Sequence, residues 1–343
     1  MENKFLSVTL AMPLMTTTPS KSVQVGRQIG SLGPSIHTIS CKPIMSVILL
    51  TLLVLATITF VGCSGGNPIS DATLLGIDVH IREGQEPQEL NPSDLLSVHF
   101  IDVGEGDAIL VVQGNYAMLV DGGPTEMGTT VFSYLREQGV TTLEYVVATH
   151  PFTDHVGGLP DILRRITIRN VLLPMVYHDT PAYNNFLFAV EDSGATVTIP
   201  FAGDTFTIGD ADITILSPNP TDTWDNRANY SIVMRIEFGS TSFLLMGDAM
   251  REVESNLLDS TVQLLADVLK VARHGASSAT TSGFLDAVSP SIAVISAGES
   301  NSFLSQDTLR RLSNAGVHTF RTDLSGNIVI TSDGTTLGVV LER

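Results

Sequence analysis

The sequence predicts a mixed α and β fold that is rich in strands. Short apolar or alternating runs typical of strands recur within residues 98–148 and again within 197–246, and stretches with helical spacing lie between or after them. The chain of 343 residues is 43% hydrophobic and contains 29 Gly and 16 Pro. This is the composition of a globular, turn-rich protein and argues against disorder.

The first half of the pattern predicts four strands and one helix. The strands are expected at 98–103, 108–112, 117–120 and 144–148. Residues 129–138 carry apolar side chains at helical spacing and end at Gly139, a residue that commonly follows the last turn of a helix.

The second half repeats this organisation. Strands are expected at 197–199, 205–208, 212–216, 231–237 and 242–246, and helices at 253–258 and 306–315. Two sheets packed face to face, with helices outside them, would accommodate this order.

The six residues from His150 to His155 are the most informative segment of the chain. They follow the apolar run 145–149 and precede Val156-Gly157-Gly158, which indicates a loop between a strand and a helix. Imidazoles and a carboxylate together supply the nitrogen and oxygen ligands that zinc or manganese accepts. The segment therefore predicts a metal-binding loop, in which Phe152 stands where a further ligand is expected.

The order of these residues resembles the HxHxDH signature of the metallo-β-lactamase fold. Five further motifs, at 98–110, 119–123, 229–235, 243–249 and 269–275, are similar to those of the ComEC-like hydrolase domain of DNA-uptake proteins. The resemblance covers residues 96–343, and it implies a four-layer αββα sandwich.

In that family two metal ions share a bridging Asp, and the resemblance implies one complete ligand set in this chain. The second site would be held by Asp154, His155, Asp248 and His274. The first site is broken, because only His150 remains of its His pair and the middle segment Asn229-Tyr230-Ser231 brings no His. We therefore expect one divalent ion per chain, zinc or manganese.

Such an ion would lower the pKa of a bound water towards neutrality. Asp154 or Asp248 would then take the proton, and the chain would be a metal-dependent hydrolase. The alternative is a non-catalytic binding module, in which the remaining ligands are remnants of a degenerate site.

Arg273 departs from the family pattern, which more often has a His directly before His274. Its planar guanidinium suits phosphate or carboxylate groups. We expect it to supply, as a catalytic residue, the positive charge that the absent first metal no longer provides; the alternative is that it points to solvent.

The other His and Asp residues near the motifs are not expected to bind a metal directly, with one exception. His99, His178 and His318 are expected to be surface or satisfied core residues, although His178 is the one candidate to replace the lost middle-segment ligand. Asp102, Asp107 and Asp121 are expected either to orient ligands or to cap turns beside glycines.

Residues 1–62 differ from the rest and predict a leader. The uncharged run 45–62 follows Lys42 and ends directly before Cys63, which indicates a signal peptide with a resemblance to a bacterial lipobox. An uncleaved membrane span is the alternative. Either interpretation anchors the chain in the lipid bilayer, through Cys63 or the 45–62 segment, and places the remainder outside the cytoplasm. The polar residues 63–95 predict a flexible tether.

The charge of the chain limits its partners. The leader holds four of the 18 basic residues and one of the 36 acidic residues, which leaves a net charge of -21 from residue 63 onward. Such a surface repels polyanions and argues against strong non-specific DNA binding. A small-molecule or phosphodiester substrate is expected, and the resemblance favours the phosphodiester.

Overall fold

Two β-sheets lie face to face and carry helices on their outer surfaces in the computed structural model, which describes residues 92–300 and 302–343. The strands are β1 (Leu96–Phe100), β2 (Ile109–Gln113), β3 (Tyr116–Val120), β4 (Thr142–Val147), β5 (Thr167–Leu172), β6 (Thr196–Thr198), β7 (Thr205–Ile208), β8 (Ala211–Ser217), β9 (Val233–Phe238), β10 (Thr241–Leu245), β11 (Val268–Lys270), β12 (Ile292–Ile295), β13 (His318–Arg321), β14 (Ile328–Ser332) and β15 (Leu337–Leu341). The α-helices are α1 (Gly128–Glu137), α2 (Thr153–Val156), α3 (Leu159–Leu163), α4 (Pro181–Ser193), α5 (Arg251–Asp259), α6 (Ser282–Val288), α7 (Gln306–Asn314) and α8 (Thr322–Ser325).

Each sheet combines an antiparallel half with a parallel half. The first sheet has the order β15-β14-β1-β2-β3-β4-β5-β6, and the second has the order β13-β12-β11-β10-β9-β8-β7. The strands pair in parallel from β3 to β6 and from β10 to β13. Loops that follow the carboxyl ends of parallel strands gather at one edge, where ligands commonly bind in such sheets.

Alternation along the strands explains the four layers. In β2, Ile109 and Val111 enter the core between the sheets, whereas Leu110 packs under the helices of the first sheet. In β10, Phe243 enters the same central core and Leu244 packs under the helices of the second sheet. Because successive side chains of a strand point to opposite faces, each sheet is covered on both sides. The predicted αββα sandwich is confirmed.

The predicted elements match observed ones, with ends that shift by up to three residues. The largest shift is at the first strand, which was expected at 98–103 and is observed at Leu96–Phe100. Ile101 and Val103 are buried among the outer core residues although they lie in a loop. The apolar side chains of Ile101 and Val103 therefore indicate burial and not strand structure.

The described residues all belong to one compact unit, Ile81–Arg343. In this part of the chain no helix has both the length and the apolar character needed to cross a membrane. The predicted signal peptide, the lipobox at Cys63 and most of the tether at 63–95 lie outside the described residues.

Candidate metal centre

Three loops meet where the two sheets face each other. The loop after β4 carries His150 and continues into α2 with Asp154 and His155. The loop after β10 carries Asp248, and the short 3-10 turn after β11 carries His274. The structure thus brings together all five residues that were predicted as metal ligands, from three segments spread over residues 150–274.

Asp248 faces all three imidazoles. Its Oδ1 atom lies 3.4 Å from Nε2 of His155 and 3.5 Å from Nε2 of His274, and its Oδ2 atom lies 3.6 Å from Nε2 of His150. Oδ2 of Asp154 lies 3.8 Å from Nε2 of His155 and 3.5 Å from Nε2 of His274. Asp154 and Asp248 therefore flank the same two histidines, as the resemblance implied for the second site.

The centre contains buried atoms that lack hydrogen-bond partners among the described residues. They are Nε2 of His150, His155 and His274, and Oδ1 of Asp248. Leaving a buried polar group unpaired costs roughly 1–3 kcal/mol, so four converging cases call for a ligand. Imidazole nitrogens and carboxylate oxygens are the atoms that bind zinc and similar divalent ions. The residues present fit such an ion.

The opposite nitrogen of each ring is engaged outside the centre. Nδ1 of His155 lies 2.7 Å from Oδ2 of Asp121, and Nδ1 of His274 lies 3.2 Å from the carbonyl oxygen of Ser296. Nδ1 of His150 lies 3.0 Å from Oγ1 of Thr149. Such contacts fix the ring so that Nε2 faces a metal. For Asp121, the geometry favours ligand orientation over turn capping.

The segment that lacks a His supports the Asp248 loop instead. Oγ of Ser231 accepts a hydrogen bond from the backbone N–H of Asp248 at 3.0 Å, and Oδ1 of Asn229 accepts one from the N–H of Met250 at 3.0 Å. Directly before Asp248, Gly247 adopts a φ of 51°, a conformation that glycine tolerates best. This segment therefore positions a carboxylate rather than supplying a ligand.

Charges within the centre shift the pKa values of its two carboxyl groups, those of Asp154 and Asp248. Burial opposes the charge on Asp248, yet the His274 and His155 rings hold the pKa of its carboxyl well below the usual range. Burial likewise opposes the charge on Asp154, but the neighbouring His274 and His155 rings lower its pKa to about 2. Both carboxylates are therefore ionised and available as ligands at neutral pH.

Aromatic rings border the centre on two sides. The Phe152 ring lies edge-on to His150 at 4.9 Å and contacts the His178 ring at 5.4 Å. The Phe303 ring lies 5.8 Å from the ring of His274. His178 packs against Phe152 outside the ligand cluster, so the structure does not place it as a replacement ligand.

Arg273 lies at the rim beside Phe303. Its guanidinium carbon is 5.9 Å from the Phe303 ring centroid, and its Nη1 group contacts Sδ of Met250. Arg273 is half-buried, and no carboxylate of residues 92–300 or 302–343 lies within ion-pair distance of it. Its backbone has φ 48° and that of His274 has φ 52°, so two consecutive non-glycine residues adopt the left-handed conformation.

The other residues considered in the sequence, His99, His318 and Asp102, lie away from the centre or at its edge. His99 is buried, with Nδ1 2.8 Å from the Tyr134 hydroxyl and Nε2 2.9 Å from Oγ of Ser97. His318 is exposed at the start of β13. Oδ1 of Asp102 accepts a hydrogen bond from the N–H of Gly104 at 3.2 Å. These arrangements agree with the structural interpretations.

Lys270 is a charged residue of the site to which sequence reasoning gave no role. It ends β11, is fully buried and forms an ion pair with the equally buried Asp107. Asp107 lies beside two ligands, with Oδ2 3.8 Å from Nδ1 of His155 and Oδ1 3.9 Å from Nδ1 of His274. A lysine within the apolar run 268–272 was a usable signal, because lysine is almost never fully buried without a partner.

Comparisons with known proteins agree with this geometry. The family model described as the metallo-beta-lactamase superfamily matches residues 101–299. ComE operon protein 3 of Bacillus subtilis (strain 168) is 28% identical over 251 residues, which cover 67% of this chain and 32% of that protein.

Two further relatives match a similar part of the chain. Recombination protein 2 of Haemophilus influenzae is 30% identical over 210 residues, covering 60% of this chain and 24% of that protein. Competence protein ComA of Neisseria gonorrhoeae is 26% identical over 242 residues, covering 69% of this chain and 32% of that protein. The chain spans less than a third of the length of each of these three relatives.

Proposed function

Because the chain belongs to the metallo-beta-lactamase superfamily, we propose that it is a hydrolase that uses one divalent metal ion, zinc or manganese. The observation that carries the proposal is the convergence of buried, unpartnered ligand atoms between the two sheets. Asp154, His155, Asp248 and His274 would hold the ion, with His150 beside them. A divalent ion bound there supplies Lewis acidity and lowers the pKa of a coordinated water.

Asp154 and Asp248 have different surroundings, which suggests different roles. The side chain of Asp154 is 29% exposed, whereas that of Asp248 is 5% exposed. An ionised and partly exposed carboxylate can accept a proton from a water molecule and pass it to solvent. We assign this proton transfer to Asp154 in addition to its place among the four ligands. Asp248, which faces all three imidazoles, would serve only to hold the ion.

The position of Arg273 is evidence for an anionic substrate. Its guanidinium lies at the rim without a carboxylate partner among the described residues, and guanidinium groups bind phosphate and carboxylate oxygens in pairs. The names of two relatives, a competence protein and a recombination protein, favour a phosphodiester. The net charge of -21 from residue 63 onward favours a short substrate over non-specific binding of long DNA.

The leader favours a membrane-anchored position outside the cytoplasm. The uncharged run 45–62 and Cys63 support a membrane-anchored lipoprotein with a signal peptide, and the basic leader supports an extracytoplasmic position for the hydrolase. Labelling of cells with a fatty-acid analogue tests this, because replacement of Cys63 by Ala should abolish label incorporation and leave the uncleaved chain. Equal labelling of both proteins would refute the lipid anchor.

Elemental analysis of the purified full chain tests the metal centre. The parent should retain close to one equivalent of zinc or manganese after dialysis and hydrolyse a small phosphodiester such as bis(p-nitrophenyl) phosphate. His155→Ala should lose both metal and turnover, whereas His318→Ala, which removes an exposed imidazole on β13, should keep both. A parent chain without metal or turnover would contradict the proposal.

A non-catalytic binding module is the second candidate, and Phe152 favours it. Its phenyl ring occupies the position of a family ligand and contacts His150 at 4.9 Å, where it cannot donate to a metal. A chain that retains no metal and still binds a ligand would support this candidate. Turnover that depends on metal content would exclude it.

A further inference from the structure

A fully buried lysine lies beneath the candidate metal centre. Lys270 has no solvent exposure, and Asp107, its ion-pair partner, is 1% exposed. Nζ of Lys270 also lies 3.4 Å from the carbonyl oxygen of Gly247. Removing such charges from water is costly because each ion loses its hydration, and an apolar pair often stabilises a fold equally well. Fold stability alone therefore gives weak reason for this pair.

The pair connects the same two sheets that supply the ligands. Asp107 lies in the loop before β2 of the first sheet, and Lys270 ends β11 of the second sheet. The ligands divide in the same way, since His155 follows β4 of the first sheet and His274 follows β11 of the second. Lys270 thus joins the two halves of the centre directly.

Asp107 also contacts the ligand loops through its backbone and its second oxygen. Its N–H donates to the carbonyl oxygen of Asp154 at 3.2 Å. Oδ1 of Asp107 is buried, lacks a hydrogen-bond partner among the described residues, and lies 3.9 Å from Nδ1 of His274. Oδ2 lies 3.8 Å from Nδ1 of His155. One carboxylate therefore lies behind two of the imidazoles, on the side away from the unpartnered Nε2 atoms.

We propose that Lys270 and Asp107 are positioning residues, which hold the loops of His155 and His274 at the separation that one divalent ion needs. The ammonium neutralises Asp107, so that this carboxylate orients the rings and does not compete as a ligand. The contact with Gly247 extends the same link to the neighbouring Asp248. This inference rests on the proposed metal centre and concerns how the protein builds it.

Cobalt titration of the purified full chain tests the inference. The variants are Lys270→Met, Asp107→Asn and the double variant K270M/D107N. We expect Co²⁺ affinity, measured by competition with a chelator, to fall about 10- to 100-fold in each, which is the usual effect of losing a group that orients metal ligands. The visible absorption spectrum of bound Co²⁺ should also change, because it reports ligand geometry.

The double variant separates positioning from folding. A single substitution leaves one buried group without its partner and lowers the midpoint of unfolding. Removing both charges should restore part of that midpoint, and the low Co²⁺ affinity should persist. Arg235→Met is the matched control, because it breaks an ion pair with Glu237 and a contact with the Leu265 carbonyl in the second sheet, away from the ligands. It should lower stability and leave the cobalt spectrum unchanged.

Three outcomes distinguish the positioning role, the metal centre and the hydrolase activity from one another. A folded double variant with parental Co²⁺ affinity and spectrum overturns the positioning role. A parent that binds no Co²⁺ overturns the metal centre and this inference together. A parent that binds Co²⁺ without hydrolysing any phosphodiester overturns the hydrolase alone, and weakened binding by the variants then still supports the positioning role.

Discussion

His155 and Asp121 are joined by a short buried contact, with Nδ1 2.7 Å from Oδ2 and neither side chain exposed. The same carboxylate accepts hydrogen bonds from the N–H and the hydroxyl of Thr149, at 2.8 Å and 2.7 Å. A carboxylate cannot rotate freely when both oxygens are engaged. Asp121 therefore fixes the plane and the tautomer of the His155 ring, and this leaves the Nε2 lone pair for a metal.

Asp121→Asn should weaken metal binding while the fold persists. The amide oxygen can serve Thr149, but its NH₂ group would then face Nδ1 of His155 and favour the tautomer that carries hydrogen on Nε2. We expect zinc affinity to fall about 10- to 100-fold, measured by competition with a chromophoric chelator. Asp259→Asn, at an exposed carboxylate that ends α5, is the control and should bind zinc as the parent does. Equal affinities in all three proteins would remove the orienting role.

Phe152→His should restore part of the first metal site. The ring lies 4.9 Å from that of His150, and His150 lies 3.6 Å from Asp248, so a second imidazole would join an existing pair of ligand side chains. Three protein ligands suffice for a zinc site with an open position. Elemental analysis should show more metal per chain than in the parent, with the extra ion the more easily dialysed. Phe152→Leu controls for the lost ring, and unchanged stoichiometry in Phe152→His would contradict this expectation.

Arg273→Gly should stabilise the chain and impair catalysis. The left-handed conformation costs a non-glycine residue roughly 1–2 kcal/mol, and Arg273 adopts it with φ 48° and ψ 49°. We expect the free energy of unfolding to rise by about 1 kcal/mol, because glycine populates this conformation freely. The KM for a phosphodiester should increase through loss of the guanidinium.

Arg273→Ala separates the two effects, because alanine removes the charge and keeps the strained backbone. Its KM should resemble that of Arg273→Gly, and its thermal midpoint should not rise. Identical thermal midpoints for the two variants would show that no strain is stored at this position. An unchanged KM in both would show that the guanidinium does not contact the substrate.

His99 should make the fold sensitive to mild acid. Burial lowers the pKa of this imidazole from 6.5 to about 4, so the unfolded chain takes up a proton at a higher pH than the folded chain does. Stability that is present above pH 6.5 is therefore lost as the pH falls towards 4, by an amount on the order of 3 kcal/mol. His99→Gln should flatten this loss in urea midpoints measured from pH 7 to 4.5. His318→Gln, at an exposed imidazole, should keep the parental slope, and a parental slope in His99→Gln would rule out the buried ring as the cause.

The sequence was most informative where both faces of a strand are buried. β2 and β3 are short apolar runs because alternate residues enter two different cores, and such runs are recognisable locally. β14 was not predicted, although Ile328–Ser332 is a run rich in β-branched residues between Gly326 and Gly334. Its pairing with β1, more than two hundred residues away, does not follow from local sequence. α4 was also missed, although Thr180 and Gly194 mark its ends as typical caps.

In the site, too, residues that share one loop could be predicted, whereas contacts between distant segments could not. His150, Asp154 and His155 share one loop, so their spacing was readable as a metal motif. The roles of Ser231 and Lys270 depend on contacts with the Asp248 loop and with Asp107. Neither contact follows from spacing along the chain. Ser231 meets Asp248 only when β9 pairs with β10, and Lys270 meets Asp107 only when the two sheets pack.

Metal removal should lower stability if the centre binds an ion as proposed. Binding to the folded chain alone adds about 2.7 kcal/mol at a free ligand concentration of 100 times Kd. For a domain of this size we expect chelation to lower the thermal midpoint by roughly 5–10 °C, measured by differential scanning calorimetry with and without added zinc. His155→Ala should unfold at the same temperature in both conditions, because it lacks a central ligand. A parent chain whose midpoint ignores both chelator and zinc would show that the four unpartnered atoms of the centre are satisfied by something other than a metal ion.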